Sequence, residues 1–443
     1  MAGNKEYFLS EYVTPVFNSC QPELTEWFGY YNYDPLSPDH SKMLMNRTSI
    51  EGIAISNDHS IEVGYYTLSD KQWHSVAKTD SFNWQQGAML QWMPDSNNEI
   101  IFNFSTDNHY AAKIIDIHSG KERIIDYPVY AIHPQGKFAL GLDYERLYWC
   151  RAYHYQPIQK EHLNVKLLPG DGVFHIDLTT NTRRLLVDLK DVVAIDSDAD
   201  FYDAKHWIEH VMISPDGTKF VFLHRFSYGD VMSYGTRLCM ANIDGSNLQV
   251  IKGWRNFGWS HFGWCGNDAF AIYTYIAPKI GASTAKPGIK QKPTLKTRLL
   301  TTCKTVAKAL VPKKLLNGMV GKASYYQFYQ IIDGVPRVTD KFSKGHLAID
   351  GHPSFTKDGK YMITDTYSDK KGYQRLLILN RQNKQSVVLG TFKAALRGNP
   401  ASCDLHPKLS VDNNYVSIDT AHTGRHAMML FKINWEKIVK AIG

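Results

Sequence analysis

The stretch Val211-Met-Ile-Ser-Pro-Asp-Gly-Thr-Lys-Phe-Val-Phe-Leu, residues 211–223, contains the pattern on which the fold depends. A short apolar segment leads into Ser-Pro-Asp-Gly, and a second apolar segment follows it directly. Asp-Gly in such a turn supplies the positive φ that a tight β-hairpin needs. The stretch therefore predicts two antiparallel strands joined by a tight turn.

The same turn recurs along the chain, and an apolar strand follows each copy. The aligned turns are Leu36-Ser-Pro-Asp-His, Trp92-Met-Pro-Asp-Ser, Ile132-His-Pro-Gln-Gly, Ile213-Ser-Pro-Asp-Gly, Trp264-Cys-Gly-Asn-Asp, Phe355-Thr-Lys-Asp-Gly and Leu409-Ser-Val-Asp-Asn. Because one such unit cannot bury both of its faces, stacking against its neighbours must supply the core. Seven four-stranded units predict an all-β fold in which residues 1–443 form a single seven-bladed β-propeller. Residues 8–17 are expected to supply the fourth strand of the last blade.

Composition agrees with a folded β protein. The 443 residues include 26 Tyr and 10 Trp, and aromatic side chains suit a pleated, half-buried surface. The sequence contains no apolar run of the roughly 18–20 residues that span a bilayer, and its first residues show no apolar signal segment. The six cysteines are scattered, without a Cys-x-x-Cys pair, and read as free thiols. We therefore expect a cytoplasmic protein.

The net charge of +7 comes from one segment. Residues 279–322 contain eleven Lys and Arg and no Asp or Glu, so the rest of the chain carries 39 basic and 43 acidic residues, a net charge of −4. We interpret this segment as a basic, partly helical insertion within blade five. Three interpretations stay open: a solvated insertion, peripheral contact with an anionic membrane surface, or attraction to an acidic polymer.

Four histidines share one position of the repeat, four residues before the first residue of the turn. They are His210, His261, His352 and His406, in blades four to seven. The innermost strand of each blade lines the channel, so the ring of blades should bring these imidazoles together. Imidazole is a common ligand of Zn, Mn and Fe, and the pattern predicts a divalent transition metal, Zn or Mn. Asp350, Cys403 and Asp404 lie nearby in sequence and are expected to orient those rings.

Polar and basic residues recur near the end of the second strand of the blades, on the same face as the histidines. They are Arg47, Asn103, Tyr144, His224, Arg225, Tyr275, Tyr367 and His422, followed by His109, Arg146, Arg151, Tyr155, Arg375 and Arg425. A cluster of Arg, His and Tyr at a channel mouth indicates an anionic ligand. One chemistry that fits is β-elimination from a uronic acid, which needs a neutralised carboxylate, a base for the C5 proton and an acid for the leaving oxygen.

Several stretches resemble the seven-bladed propeller polysaccharide lyases, with ulvan lyases the nearer resemblance and oligogalacturonate lyases the more distant one. The resemblance covers most of the chain outside residues 279–322. It rests on Asn83-Trp-Gln-Gln-Gly-Ala-Met-Leu-Gln-Trp, Lys205-His-Trp-Ile-Glu-His, Ser214-Pro-Asp-Gly-Thr-Lys-Phe-Val-Phe-Leu-His-Arg, Asp350-Gly-His-Pro-Ser-Phe-Thr-Lys-Asp-Gly-Lys-Tyr-Met-Ile-Thr-Asp-Thr-Tyr and Cys403-Asp-Leu-His-Pro-Lys-Leu-Ser.

The resemblance implies a metal held by channel histidines, which binds the substrate carboxylate in oligogalacturonate lyases and is structural in ulvan lyases. His210, His261, His352 and His406 match that set, and Arg225 matches an arginine that neutralises the uronate. Tyr144, His109 and His224 are the predicted acid and base candidates. The residues predicted to contact substrate are Arg146, Arg151, Tyr367, His422 and Arg425.

The favoured hypothesis is a lyase that cleaves a uronate-containing polysaccharide or oligosaccharide. A second is a non-catalytic propeller that binds an acidic glycan or a protein partner at a membrane surface; nucleic acid is not an expected partner of either. A third is a glycoside hydrolase, which needs two carboxylates at the channel mouth. Asp365 and Asp419 occupy equivalent repeat positions and would be those carboxylates, unless they form hydrogen bonds that support the blades.

Overall fold

The Ser-Pro-Asp-Gly turn is closed by its own side chains. In blade four, the Gly217 amide donates to the Ser214 carbonyl over 2.8 Å, and Asp216 Oδ1 accepts the Ser214 hydroxyl at 2.6 Å and the Thr218 amide at 3.1 Å. Gly217 has a φ of +75°, and a Cβ there would lie 2.2 Å from His133. Glycine is therefore needed both for the backbone conformation and for space.

The computed structural model describes residues 6–50, 55–56, 58–151, 165–197, 199–229, 234–253, 255, 257–276, 324–398 and 401–443. Within these ranges the prediction of a seven-bladed β-propeller is confirmed, because the strands form seven antiparallel sheets.

The strands and helices are numbered in chain order. The N-terminal strands are β1 (Tyr7–Leu9) and β2 (Val13–Asn18). Blades one to three contain β3 (Thr25–Trp27), β4 (Lys42–Thr48), β5 (Ile61–Thr67), β6 (Trp73–Thr79), β7 (Gln91–Trp92), β8 (Glu99–Ser105), β9 (Tyr110–Asp116), β10 (Glu122–Ile125), β11 (Ala131–Ile132), β12 (Phe138–Gly141), β13 (Gly172–Asp177) and β14 (Thr182–Asp188).

Blades four and five contain β15 (Lys205–Ile213), β16 (Lys219–Ser227), β17 (Gly235–Asn242), β18 (Gln249–Val250), β19 (Phe257–Gly266), β20 (Ala269–Ile276), β21 (Ser324–Ile332) and β22 (Val335–Phe342). Blades six and seven contain β23 (Ser354–Phe355), β24 (Tyr361–Asp365), β25 (Tyr373–Asn380), β26 (Gln385–Lys393), β27 (Lys408–Leu409), β28 (Tyr415–Thr420) and β29 (Ala427–Ile433). The described helices are α1 (Tyr144–Arg151), α2 (Leu189–Ala194) and α3 (Trp435–Ile442), with 3₁₀ turns at Ala199–Asp203 and Gly345–Ala348.

The N-terminal strands join the last two blades. Strand β2 pairs with β29 and supplies the fourth strand of blade seven, with Val13 opposite Ile433. Strand β1 pairs with β26 and adds a fifth strand to blade six, with Phe8 opposite Thr391. The predicted closing segment, residues 8–17, is therefore divided between two blades, because the chain crosses from one blade to the other between β1 and β2.

Apolar side chains fill the spaces between blades. Trp207, Phe222 and Trp259 belong to one buried cluster that runs from blade two to blade five. Helix α3 buries Ile438 and Ile442 in a second cluster with side chains of blades six and seven. None of the helices in the described ranges is long and apolar enough to cross a membrane.

The basic insertion, residues 279–322, lies outside the described residues. The strands before and after it, β20 and β21, pair with each other from Ala269 opposite Gln330 to Tyr275 opposite Ser324.

Candidate metal centre in the propeller channel

The four histidines that share a repeat position meet at the channel. Their ring centroids lie 6.1 Å apart for His210 and His261, 3.9 Å for His261 and His352, and 4.3 Å for His352 and His406. All four side chains are buried. The structure therefore brings together residues that lie up to 196 positions apart in the sequence.

Irregular backbone at the inner strands presents these imidazoles. The pairing of β15 with β16 shifts register between Glu209 and Met212, and that of β19 with β20 shifts between Trp259 and Phe262. Such bulges change the direction of a side chain. His352 and His406 lie two residues before β23 and β27, so these two histidines are not part of the regular strands.

Three of the imidazoles lie beside a carboxylate. Asp365 Oδ1 is 2.9 Å from His352 Nδ1, Glu209 Oε2 is 3.3 Å from His210 Nδ1, and Asp350 Oδ1 is 3.4 Å from His261 Nδ1. A carboxylate on one ring nitrogen fixes the orientation of the ring and leaves the other nitrogen for a ligand. The predicted orienting role of Asp350 is thus consistent with its position, while Glu209 and Asp365 were not among the residues predicted for that role.

Burial and charge act on these groups in opposite directions. Burial lowers the pKa of His210 to about 3, although Glu209 acts against it. Burial also acts to lower the pKa of His352, but Asp365 outweighs it and raises that pKa above its ordinary value. Burial raises the pKa of Asp404 to about 7, with His352 opposing and Asp365 adding to the effect.

A group of side chains that could hold a metal ion is present among the described residues. His352, Asp404 and His406 each offer one ligand atom, and these atoms all lie within 4.8 Å of one another. Two imidazole nitrogens and one carboxylate oxygen suit Mn or Zn better than a soft metal, which prefers thiolates. The residues present therefore fit a divalent transition metal. The Cys403 thiol is buried, and its Sγ lies 3.6 Å from the Asp404 carbonyl oxygen.

Two tyrosines that the sequence reasoning missed cross the channel from blade one. The Tyr30 ring lies 5.0 Å from His210 and 5.4 Å from His406, and the Tyr31 ring lies 5.2 Å from His352. They follow Gly29, which has a φ of +121° and no room for a Cβ beside Gln86. A run of Tyr-Tyr-Asn-Tyr, residues 30–33, just before a repeat turn was the available signal, but only Tyr33 occupies the histidine position, and Tyr30 and Tyr31 precede it.

Tyr367 lies at the exposed side of the cluster. Its ring centroid is 5.8 Å from that of His352 and 6.0 Å from that of His261, and the residue is 38% exposed. Burial of its hydroxyl, with the nearby charges of Asp404 and Asp350, raises the pKa of Tyr367 well above its ordinary value. The structure thus places this predicted substrate contact beside the metal-binding group.

Arg225 lies behind His210 and is already paired. Its Nε is 2.7 Å from Glu209 Oε1, its guanidinium lies over the Tyr234 ring, and the residue is only 5% exposed. Its role in neutralising a uronate stays a prediction. In the structure, the guanidinium of Arg225 pairs with the carboxylate of Glu209.

Three of the predicted residues are buried inside blade contacts. His224 is stacked on His206, with His206 Nδ1 3.0 Å from His224 Nε2. The Tyr144 hydroxyl donates to the Val129 carbonyl over 3.1 Å, and Arg146 donates to the carbonyls of Val165, Lys166 and His206. Their roles in catalysis and binding stay predictions that these contacts do not favour, because the three side chains are buried and form these contacts within the protein.

The remaining predicted residues lie in other surroundings. His109 is in an exposed turn, where its Nδ1 is 3.0 Å from the Thr106 hydroxyl. His422 is buried against the Tyr7 ring, and Arg425 donates to the Glu23 carbonyl over 3.3 Å. The Arg151 side chain and Tyr155 lie outside the described residues. No contact with the histidine cluster is seen for His109, His422 or Arg425 in the described part of the chain, and their roles stay predictions.

Asp365 and Asp419 hold neighbouring blades together. Asp365 accepts the His352 amide at 2.6 Å and the His406 amide at 3.2 Å, and Asp419 accepts the Phe28 amide at 2.9 Å. Both side chains are buried. These hydrogen bonds fit the blade-supporting interpretation and leave neither carboxylate at an open channel mouth.

Comparison with solved structures finds this fold in oligogalacturonate lyases. An oligogalacturonate lyase in complex with manganese superposes with a TM-score of 0.59 at 15% identity, covering 96% of this chain and 93% of that chain. An oligogalacturonate lyase from Vibrio parahaemolyticus gives a TM-score of 0.58 at 13% identity, covering 96% of each chain. No protein-family model matches the sequence, and no curated protein is similar to it in sequence.

At such identities the likeness shows the fold alone. The fold and the site together define a seven-bladed propeller with a histidine–carboxylate group at its channel. Oligogalacturonate lyases are among its structural neighbours. The nearer resemblance to ulvan lyases stays a prediction.

Proposed function

We propose that this protein is a lyase that cleaves a uronate-containing oligosaccharide or polysaccharide by β-elimination at a divalent metal centre formed by His352, Asp404 and His406. The observation that supports it best is this group of ligand atoms within 4.8 Å, with Asp365 holding the ring of His352 from behind. The likeness to an oligogalacturonate lyase that is in complex with manganese supports Mn as the first metal to test.

The described arginines do not by themselves explain recognition of an anion. Arg225 is paired with Glu209, Arg375 with Asp369 at 2.9 Å, and Arg146 with backbone carbonyls. A metal bound by His352, Asp404 and His406 would supply the positive charge that draws electron density from a uronate carboxylate and makes the C5 proton more acidic.

The acid and base are proposed from the side chains around that group. His261 lies between His352 and Asp350, and Asp350 holds its Nδ1 side at 3.4 Å, so its second ring nitrogen can accept the C5 proton. Tyr367 stands beside both histidines, and its raised pKa keeps its hydroxyl protonated, so the hydroxyl can donate to the leaving oxygen.

The test is an assay of purified protein, with and without added Mn²⁺, on oligogalacturonate and other uronate glycans. An unsaturated uronate product absorbs ultraviolet light and would support the proposal. His352→Gln should remove both metal binding and turnover, whereas His133→Gln should retain both, because His133 is a buried histidine that bonds the Gly217 carbonyl in a turn.

Glycan binding without product under every metal condition would contradict the lyase and favour a non-catalytic, glycan-binding propeller. Equal activity of the His352→Gln variant would contradict the proposed centre.

A further inference from the structure

Two tyrosines of blade one, Tyr30 and Tyr31, pack against the four channel imidazoles. Blade one lacks a histidine at the shared repeat position, where it has Tyr33. Its β3 ends at Trp27, and the chain then passes through Gly29 into the channel. Only glycine fits there, since a Cβ would lie 2.5 Å from the backbone carbon of Gln86.

Tyr31 spans the channel and bonds the backbone of blade five. Its hydroxyl donates to the Phe262 carbonyl over 2.6 Å and accepts the Phe262 amide at 3.1 Å. The two residues are 231 positions apart, and Tyr31 is only 3% exposed. Phe262 directly follows His261 and closes the bulge that presents this histidine. The hydroxyl therefore fixes the backbone on which His261 is carried.

The ring of Tyr31 also contacts the other imidazoles. Its centroid lies 6.1 Å from His261, 5.2 Å from His352 and 6.3 Å from His406. A planar side chain that is bonded at its far end has little freedom, so it forms a rigid wall against which these rings pack.

We propose that Tyr31 is a positioning residue of the metal centre: its hydroxyl, bonded to both backbone groups of Phe262, anchors the ring that supports the ligands His352 and His406. The same bonds fix the bulge that carries His261, the proposed base. This inference rests on the proposed metal centre. It adds a residue that neither the repeat nor the ligand set indicates.

The test compares Tyr31→Phe with Tyr33→Phe in the full-length protein, with Mn²⁺ alone as the probe. Tyr33 is a matched control, because it lies two residues further along the same segment and its hydroxyl also donates to a backbone carbonyl, that of Tyr130. The affinity for Mn²⁺ is measured by isothermal titration calorimetry. The line width of the electron paramagnetic resonance spectrum reports how uniform the coordination of the bound Mn²⁺ is.

We expect Tyr31→Phe to weaken Mn²⁺ binding roughly tenfold, in the range seen when groups that support metal ligands are removed. Its Mn²⁺ spectrum should broaden, while Tyr33→Phe should match the unaltered protein in both readings. Thermal unfolding of both variants separates this effect from a general loss of stability. If Tyr31→Phe does not fold, 3-fluorotyrosine at position 31 takes its place, since it keeps the ring and weakens the hydroxyl as an acceptor.

Unchanged affinity and spectrum in Tyr31→Phe, with normal binding by the unaltered protein, would overturn the positioning role alone. Equal weakening in both variants would overturn it too, because the effect would then reflect loosening of the whole segment. Absence of Mn²⁺ binding in the unaltered protein would instead overturn the metal centre and, with it, this inference.

Discussion

At the scale of single residues, three of the four channel imidazoles lie within 3.4 Å of a carboxylate. Asp365 also accepts the backbone amides of His352 and His406, so one buried carboxylate connects two blades and orients the ring of His352. The charge of His352 and these hydrogen bonds outweigh burial and lower the pKa of Asp365, so the carboxylate stays ionised at neutral pH.

Asp365→Asn should weaken Mn²⁺ binding by about 10–100-fold, the range measured for partners of metal-bound histidines. The amide retains the shape of the side chain but loses the charge that orients the Nδ1 side of His352. Isothermal titration with Mn²⁺ measures the change.

The matched control is Asp34→Asn. Asp34 also accepts two backbone amides, those of Leu36 at 2.9 Å and Val411 at 3.2 Å, and these lie at repeat turns. Its variant should bind Mn²⁺ normally. A similar loss in both variants would show that blade contacts, and not the orientation of His352, control the affinity.

A pair of histidines outside the channel, His206 and His224, should make the free energy of unfolding depend on pH. His206 and His224 are fully buried and share a hydrogen bond, and burial lowers the pKa of His206 to about 4 and that of His224 well below its ordinary value. Below pH 6.5 these two histidines are protonated in the unfolded chain, whereas in the folded chain they stay neutral to lower pH. The free energy of unfolding should therefore fall as the pH falls. His206 alone predicts a loss of about 2 kcal/mol between pH 7 and pH 5.

Urea unfolding at the two pH values measures this loss. A double variant, His206→Asn with His224→Asn, should show a smaller difference between pH 7 and pH 5, whereas the exposed His118→Gln should show the full difference. An unchanged difference in the double variant would mean that other groups cause the acid sensitivity.

At the scale of strands, the N-terminal segment has two separable functions in the ring. Deleting residues 1–10 removes β1, the fifth strand of blade six, whereas deleting residues 1–18 also removes β2, the strand that completes blade seven. We expect the shorter deletion to fold with a modestly lower melting temperature. The longer one should lose cooperative thermal unfolding, since it exposes the edge of β29 and buried residues such as Phe431.

Circular dichroism during heating distinguishes the two deletions. Equal melting curves for both would contradict a closing role for β2 and would mean that helix α3 and the blade contacts are sufficient.

At the scale of the whole molecule, one segment determines the charge. Removing residues 279–322 changes the net charge from +7 to −4, because the segment carries eleven basic residues and no acidic ones. Its flanking strands, β20 and β21, pair with each other in the described structure. A variant with a short Gly-Ser linker in its place should therefore fold, with a melting temperature within a few degrees of the full chain.

Cation-exchange chromatography and thermal unfolding check this prediction. The variant should lose retention at neutral pH, and its binding to anionic lipid vesicles or acidic glycans should fall if the segment acts as an electrostatic anchor. Loss of cooperative unfolding would show that the segment is a structural part of blade five.

The repeat alone determined the blade count and which histidines share a position. Turn chemistry and strand alternation are local, so the Asp-Gly turns could be read from the sequence, and symmetry then placed His210, His261, His352 and His406 around one axis. The resulting prediction of convergence is confirmed by the ring distances.

Only the tertiary structure decided which polar side chains reach that axis and which are used elsewhere. The repeat register put Tyr144, Arg146 and His224 near the mouth, but each is engaged by a backbone carbonyl or another ring inside a blade contact. Tyr30 and Tyr31 enter the channel because a glycine turns the chain away from the regular strand. Glu209 and Asp365 come to lie beside His210 and His352 through a bulge and contacts between blades. Such positions depend on contacts between residues that lie 15 to 60 positions apart, and 231 positions apart for Tyr31 and Phe262, and no local pattern encodes them.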